Sequence, residues 1–211
     1  MSSAYKQLSE LSEEIRNCKK CPLWKNRKNA VPGEGPVGAE IMFIGEAPGY
    51  HEDLQGRPFV GAAGKYLTKL IERIGLKRED VYITNVVKCR PPNNRDPRNE
   101  EISACSPYLD RQISIIRPKI IVTLGRHSTI YILSRAGKAI SGISQVRGRL
   151  FQVSFNSGLN INVIPTYHPA AALYNPALKT IIEKDFDFIR SIYTGEYFET
   201  KRKKITLEDF F

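Results

Sequence analysis

Four cysteines mark the clearest chemistry in this 211-residue chain. Cys18 and Cys21 form a C-x2-C pair on a turn ending in Pro22, and Cys89 and Cys105 stand far downstream. Four thiolates can hold either a tetrahedral zinc ion or a 4Fe–4S cluster, because both need soft ligands. A zinc ribbon brings two tight C-x2-C pairs close together, and the wide second spacing here favours the larger cluster. The competing reading is that Cys89 and Cys105 are small buried apolar residues, as free cysteines often are. A site built on all four would tie the N-terminal segment to the 89–105 region, which is a structural task. In a reducing cytosol, disulfides are the poorest use of these thiols.

A second group of residues falls in short loops rich in Gly and Pro: GEAPG at 45–49, TNVVKCRPP at 84–92, LGRHS at 124–128 and TYHPAAAL at 166–173. Each loop lies in or just after an apolar, mostly β-branched run, at Ile41–Ile44, Val81–Val87, Ile120–Leu124 and Ile161–Pro165. Such runs read as buried strands. Helical patterns separate them at about 63–74, 99–116 and 127–135, and the stretch around 146–155 reads as an extra strand or hairpin. An amphipathic helix over 4–16, with Leu8, Leu11 and Ile15 on one face, leads into Cys18, and a final helix spans about 177–193. Strands alternating with helices imply a parallel sheet covered on both faces, with ligands at the carboxyl ends of its strands. The unusual residues gather on that one rim.

Composition is that of an ordinary globular chain, with 41% hydrophobic and 26% charged residues. No apolar run approaches the roughly 20 residues of a membrane span. The N-terminus has no basic region followed by an apolar stretch, so a cytoplasmic protein is expected. A net charge of +10 suits a polyanionic partner, nucleic acid first among them, although a merely soluble basic protein carries the same charge.

Taken together and in order, CKKCPL (18–23), GEAPGYHED (45–53), GRPFVGAAG (56–64), TNVVKCRPP (84–92), IIVTLGRHS (120–128) and PTYHPAAAL (165–173) resemble the family 4 uracil-DNA glycosylases. The resemblance runs from residue 18 to about 190. It implies an α/β/α sandwich around a four-stranded parallel sheet, with a structural 4Fe–4S cluster on Cys18, Cys21, Cys89 and Cys105. The implied partner is uracil-containing DNA, single- or double-stranded, with free uracil as product. The deoxyuridine must leave the base stack before its N-glycosidic bond can be cut. Under this reading His168 donates to uracil O2 as negative charge develops on the leaving base. Asn85 reads O4 and N3–H, where cytosine presents the inverted pattern. Phe59 offers the face on which the base stacks. Gly45, Ala47 and Gly49 shape the first loop, and Glu46 and Glu52 flank it as catalytic candidates, Glu52 near uracil C5. Ala47 stands where another uracil glycosylase family carries a water-activating Asp, so no general base is obvious. Leu173 is the expected wedge beside the extruded base. Arg90, Arg126, the Lys65 region and the 45–49 amides are expected at phosphates. His127 reads as a helix cap or phosphate contact.

Residues 1–198 are expected to form one glycosylase domain, with 199–211 as a basic linker and peptide. The tail ITLEDFF resembles a sliding-clamp (PCNA) docking peptide, with Leu207, Phe210 and Phe211 as anchors, although Lys204 stands where that pattern has Gln. Packing of these aromatics onto the domain is the alternative. A monomer from a prokaryote, a thermophilic archaeon by its Ile, Lys and tail, completes the expectation. Two rival functions remain: a glycosylase that also removes deaminated purines, and a non-catalytic iron–sulfur DNA-binding module. A branch that captures uracil covalently is disfavoured, because GRPFVGAAGKYLTKLIERIG contains no His.

Overall fold

The computed structural model describes residues 3–155 and 158–200. Helix α1 (Ser3–Arg16) precedes β1 (Ile41–Gly45), the short α2 (Tyr50–Gln55) and α3 (Ala62–Arg73). Next come β2 (Tyr82–Asn85), α4 (Asn99–Ile116), β3 (Ile120–Leu124) and α5 (Arg126–Ser134). A one-turn α6 (Ile143–Val146) and β4 (Phe151–Ser154) lead to β5 (Asn160–Thr166), α7 (Ala171–Tyr174) and α8 (Ala177–Thr194).

The strands form one sheet in the order β2-β1-β3-β5-β4. The four expected strands are β1, β2, β3 and β5, and all of their pairings are parallel. The 146–155 stretch adds a fifth strand, β4, which runs antiparallel to β5 at the edge. The sheet is therefore five-stranded and mostly parallel, not purely four-stranded. At the other end β2 stops at Asn85, short of the apolar run that reaches Val87. The Val86 and Val87 amides donate to the carbonyls of Gly45 and Glu46, at 3.0 and 2.9 Å, and keep the chain against β1 just past Asn85.

Alternation along β1 divides the core. Met42 and Ile44 face a layer built from α1, α4 and α5, including Leu11, Leu109, Ile113 and Ile132. Ile41 and Phe43 face α3 and α8, including Leu67, Ile71, Phe186 and Ile189. Phe43 and Phe186 stack across that second layer with centroids 5.8 Å apart. The chain winds from β1 to β2 on one side and then to β3 on the other. The crevice at the carboxyl ends of β1 and β3 is thus the topological switch point, where such sheets bind ligands.

The expected tail anchors Leu207, Phe210 and Phe211 lie outside the described residues. Among the described residues no helix is long and apolar enough to cross a membrane. Phe186→Ala is expected to cost about 3–5 kcal/mol of stability, the usual range for truncating a buried aromatic. Chemical denaturation followed by circular dichroism checks this, and a midpoint matching wild type would show that the α8 layer does not need the stack.

Candidate active site and cysteine cluster

A cavity of about 380 Å³ opens at the rim of the sheet, lined by Glu46, Ala47, Glu52, Phe59, Asn85 and His168 among others. Three strand ends therefore contribute to one space, and the residues that the sequence assigns to base recognition meet there. Asn85 is only 2% exposed, and its carboxamide makes no hydrogen bond to the described protein, so both its donor and its acceptor are free for a ligand. Gly45 makes this crowding possible. A Cβ there would lie 2.3 Å from Asn85 Oδ1 and 2.7 Å from Phe59 Cζ.

Phe59 sits in the left-handed region at φ 50°, which a bulky residue adopts only when its surroundings force it. Such strain costs on the order of 1–3 kcal/mol. The backbone after it is held by Glu52, whose Oε1 accepts from the Val60 and Gly61 amides at 2.8 and 2.9 Å. Those amides open α3, and Gly61 has no capping side chain of its own. Gly64 lets α3 press against the same loop, because a Cβ there would fall 1.9 Å from the Phe59 carbonyl oxygen. Glu52 thus reaches the pocket wall as expected, with one carboxylate oxygen engaged by backbone. A Cβ at Gly49 would meet Glu52 Oε2 at 2.8 Å, so a larger residue there would push on the Glu52 carboxylate.

His168 follows β5 and stacks on Phe59 with centroids 5.6 Å apart and an interplanar angle of 27°. Its Nδ1 accepts the Ala170 amide at 3.1 Å. In the neutral ring the proton therefore resides on Nε2, the nitrogen left to serve as donor. Burial pulls the His168 pKa down to about 4, partly opposed by the Glu52 charge. At neutral pH this residue is an uncharged imidazole with a fixed Nε2–H.

Next to this group lies a trio that the sequence reading did not assemble. His127 Nε2 lies 3.1 Å from Asp96 Oδ2 and 3.8 Å from Glu46 Oε2. Partial burial pushes the Glu46 carboxyl up, the His127 neighbour pulls it back and Asp96 adds to the rise. His127 opens α5, but Gly125 occupies the cap position, and the imidazole faces carboxylates rather than helix amides. Its partners come from β1 and from the loop before α4, a convergence with no local sequence signature. Asn94 and Asp96 line the pocket from that loop and had no motif to flag them.

The remaining rim residues are more peripheral. Arg90 lies over the Tyr50 ring and donates through Nε to Asn94 Oδ1 at 2.7 Å. Arg126 and Lys65 are exposed at the first turns of α5 and α3. Leu173 is 49% exposed on α7, and its neighbour Tyr174 is more exposed still.

The four cysteines line one pocket with Trp24, Arg27, Lys88 and Tyr108. Arg27 Nη1 donates to Cys89 Sγ at 2.9 Å, and the Lys88 amide donates to Cys105 Sγ at 3.2 Å. The buried Tyr108 hydroxyl opens onto the same pocket without a hydrogen-bond partner. Burial raises the Cys21 and Cys89 thiols and pushes Cys105 up to about 12, so a bound cation must displace their protons. The four thiols in one pocket, with donors aimed at their sulfurs, suit a soft metal centre held by thiolates.

Comparison with known proteins gives a consistent picture. The family described as "Uracil DNA glycosylase superfamily" matches residues 32–193. The chain is 62% identical to a type-4 uracil-DNA glycosylase of Sulfurisphaera tokodaii, over 90% of each chain. It is 56% identical to the type-4 enzyme of Saccharolobus solfataricus, over 96% of this chain and 91% of that one. A type-5 uracil-DNA glycosylase of Pyrobaculum aerophilum is 30% identical over 78% of this chain and 83% of its own.

The His168 environment makes an expectation about pH. Its folded pKa of about 4 lies below the ordinary 6.5, so the unfolded chain takes up this proton first as pH falls. The stabilisation from the neutral ring is complete above about pH 6.5 and is lost as pH drops towards 4. Imidazole nitrogen NMR should show one of the three histidines titrating near pH 4, with that signal absent from His168→Ala. A His168 midpoint at 6 or above would contradict the enclosed geometry.

Proposed function

The chain belongs to the type-4 uracil-DNA glycosylases, and from that premise we propose how its pocket hydrolyses the N-glycosidic bond of deoxyuridine in DNA. Uracil is released and an abasic site remains. The observation that carries this reading is the convergence of the Asn85 carboxamide, the His168 imidazole and the Phe59 ring on one cavity. A flipped uracil stacked on Phe59 presents O4 and N3–H to Asn85, which donates to the first and accepts from the second. Cytosine would oppose donor to donor and acceptor to acceptor, leaving buried polar groups unpaired.

As the C1′–N1 bond breaks, electrons move onto uracil and charge grows on O2. His168 meets that charge with Nε2–H, a neutral donor fixed by the Ala170 amide. Water adds its oxygen to C1′, and its released proton balances the uracil anion. Ala47 offers no base, so Glu46 is the carboxylate that holds this water. Its raised pKa makes it a stronger acceptor than an exposed glutamate, and His127 beside it fixes its position. Glu52 acts through the loop that presents Phe59 and lines the pocket on the C5 side.

Leu173 on α7 enters the gap left by the flipped nucleotide, and Arg90, Arg126 and Lys65 meet phosphates; the exposure of Leu173, Arg126 and Lys65 and the partial exposure of Arg90 support this. Cys18, Cys21, Cys89 and Cys105 would hold a 4Fe–4S cluster, whose contribution is to fix α1 and the 89–105 segment rather than to react. The tail residues Leu207, Phe210 and Phe211 suit a sliding clamp, a reading supported by their spacing alone.

Single-turnover excision from a uracil-bearing oligonucleotide, read by alkali cleavage, tests the site. His168→Ala should slow excision by about 10²–10³, the usual loss for one donor to a developing anion. Asn85→Ala should lower uracil excision and shrink its margin over cytosine. Wild-type rates in both variants would remove the proposal. For the cysteines, purified protein should carry iron and acid-labile sulfide in equal amounts. Stoichiometric zinc without sulfide would overturn the cluster assignment.

A further inference from the structure

We infer that Arg78, braced by Glu34, is a positioning residue that fixes the Phe59 ring against Asn85 and thereby sets the pocket's affinity for uracil. The inference rests on the glycosylase reading of that pocket and extends it to two residues outside every motif of the site.

Glu34 is anchored first through its backbone. Its amide donates to the Ile83 carbonyl at 3.0 Å, and the Ile83 amide returns the bond at 2.8 Å. This antiparallel bridge fastens residue 34 to the free edge of β2, two positions before Asn85. The Glu34 side chain then holds Arg78: Oε1 accepts Nε at 2.8 Å and Nη2 at 2.6 Å. Arg57 Nε donates to the other carboxylate oxygen at 2.8 Å. Arg78 also reaches the Phe59 loop, with Nη2 donating to the Pro58 carbonyl at 2.6 Å, and Nη1 makes a longer bond to Thr68 Oγ1 on α3 at 3.4 Å.

Pro58 immediately precedes the residue at φ 50°. The strained backbone is therefore gripped on both sides, by Arg78 at the carbonyl before it and by Glu52 at the two amides after it. A left-handed phenylalanine persists only where its surroundings over-determine it. Arg78 supplies half of that constraint and refers it to β2, the strand that carries Asn85. The guanidinium suits this task because its planar fork can bond a carboxylate and a carbonyl at once, which a lysine ammonium does far less well. The strut runs from reader strand to stacking ring without passing through the base.

The test compares wild type, Arg78→Ala, Arg78→Lys, Phe59→Ala and the Arg78→Ala/Phe59→Ala double variant. Three quantities are measured: KM and kcat on a uracil oligonucleotide, inhibition by free uracil, and affinity for an oligonucleotide with a tetrahydrofuran abasic site. Arg78→Ala should raise KM and the uracil inhibition constant by about tenfold, within the range for losing one aromatic–base stack. Abasic-DNA affinity should stay within about twofold, since that ligand has no base to stack. Arg78→Lys should show a smaller rise of the same sign and covers the case in which the alanine variant does not fold. The double variant should bind uracil no more weakly than Phe59→Ala, because the strut acts through the ring. Additive losses, an equal fall in abasic-DNA affinity, or unchanged uracil inhibition would each overturn the assignment. Wild type that binds uracil without excising it would sink the glycosylase reading and still leave the uracil-affinity comparison to judge the strut.

Discussion

A methyl group on Gly45 would lie within 2.3 Å of Asn85 Oδ1 and 2.7 Å of Phe59 Cζ, and most of the site's architecture answers that crowding. Bringing an amide and an aromatic ring this close over the end of a strand places a hydrogen-bonding edge beside a flat face in one cavity. The approach requires a residue without a side chain at the end of β1, a strand that stops at Asn85, and a phenylalanine held in a conformation it resists. The first two lie in local chain geometry: the Val86 and Val87 amides bond to Gly45 and Glu46 and hold the end of β2 against the end of β1. The third needs distant help, and Glu52 on α2 provides part of it through two backbone bonds.

The same crowding governs the electrostatics. An imidazole stacked on Phe59 and half-buried among the loops is poorly hydrated, so its charged form is penalised more than the Glu52 carboxylate can compensate. A neutral ring at physiological pH has only one proton to give, and the Ala170 amide determines that it is carried by Nε2. A charged imidazolium would attract substrate phosphates and buffer its own charge with solvent. A neutral donor fixed in a half-buried wall changes its interaction mainly when charge appears opposite it, and a difference of that kind between ground and transition state is what accelerates a reaction.

Much of this was readable from the chain because it depends on local pattern. The four parallel strands, their order of rim loops, and the placement of Asn85 and His168 at strand ends follow from β-branched runs punctuated by Gly and Pro, whereas Glu52 on α2 and Phe59 in the loop before α3 came from the motifs. The antiparallel β4 was visible as an extra apolar stretch, but its direction depends on pairing with β5, which sequence alone does not encode. His127 shows the limit most clearly. As a residue at a helix start it suggests a cap or a phosphate contact, yet Gly125 takes the cap and the ring turns to Glu46 and Asp96. Those partners are supplied by two other elements, and no spacing rule links positions 46, 96 and 127. Arg78 and Glu34 were silent for the same reason: each looks like an ordinary surface charge until tertiary structure brings them together.

The cysteines adjoin the hydrogen bonds behind β2, so a structural cluster held by them would have a second task. Lys88 adjoins Cys89, is almost wholly buried, and donates from Nζ to the Asn85 carbonyl, Thr84 Oγ1 and Gln112 Oε1 at 2.7, 2.6 and 2.6 Å. Gln112 in turn donates to the Pro32 carbonyl and the Tyr82 hydroxyl, so the hydrogen bonds run from α4 across β2 to the segment that carries Glu34. A buried ammonium is costly unless its protons are satisfied and negative charge lies near. Three acceptors meet the first condition, and thiolates at Cys89 and Cys105 would meet the second. Ligation at these cysteines would therefore do more than staple α1 to α4: it would make the lysine that anchors Asn85's own backbone affordable in the core. With such ligation, Asn85 and the four cysteines would form one mechanical unit while serving different chemistry.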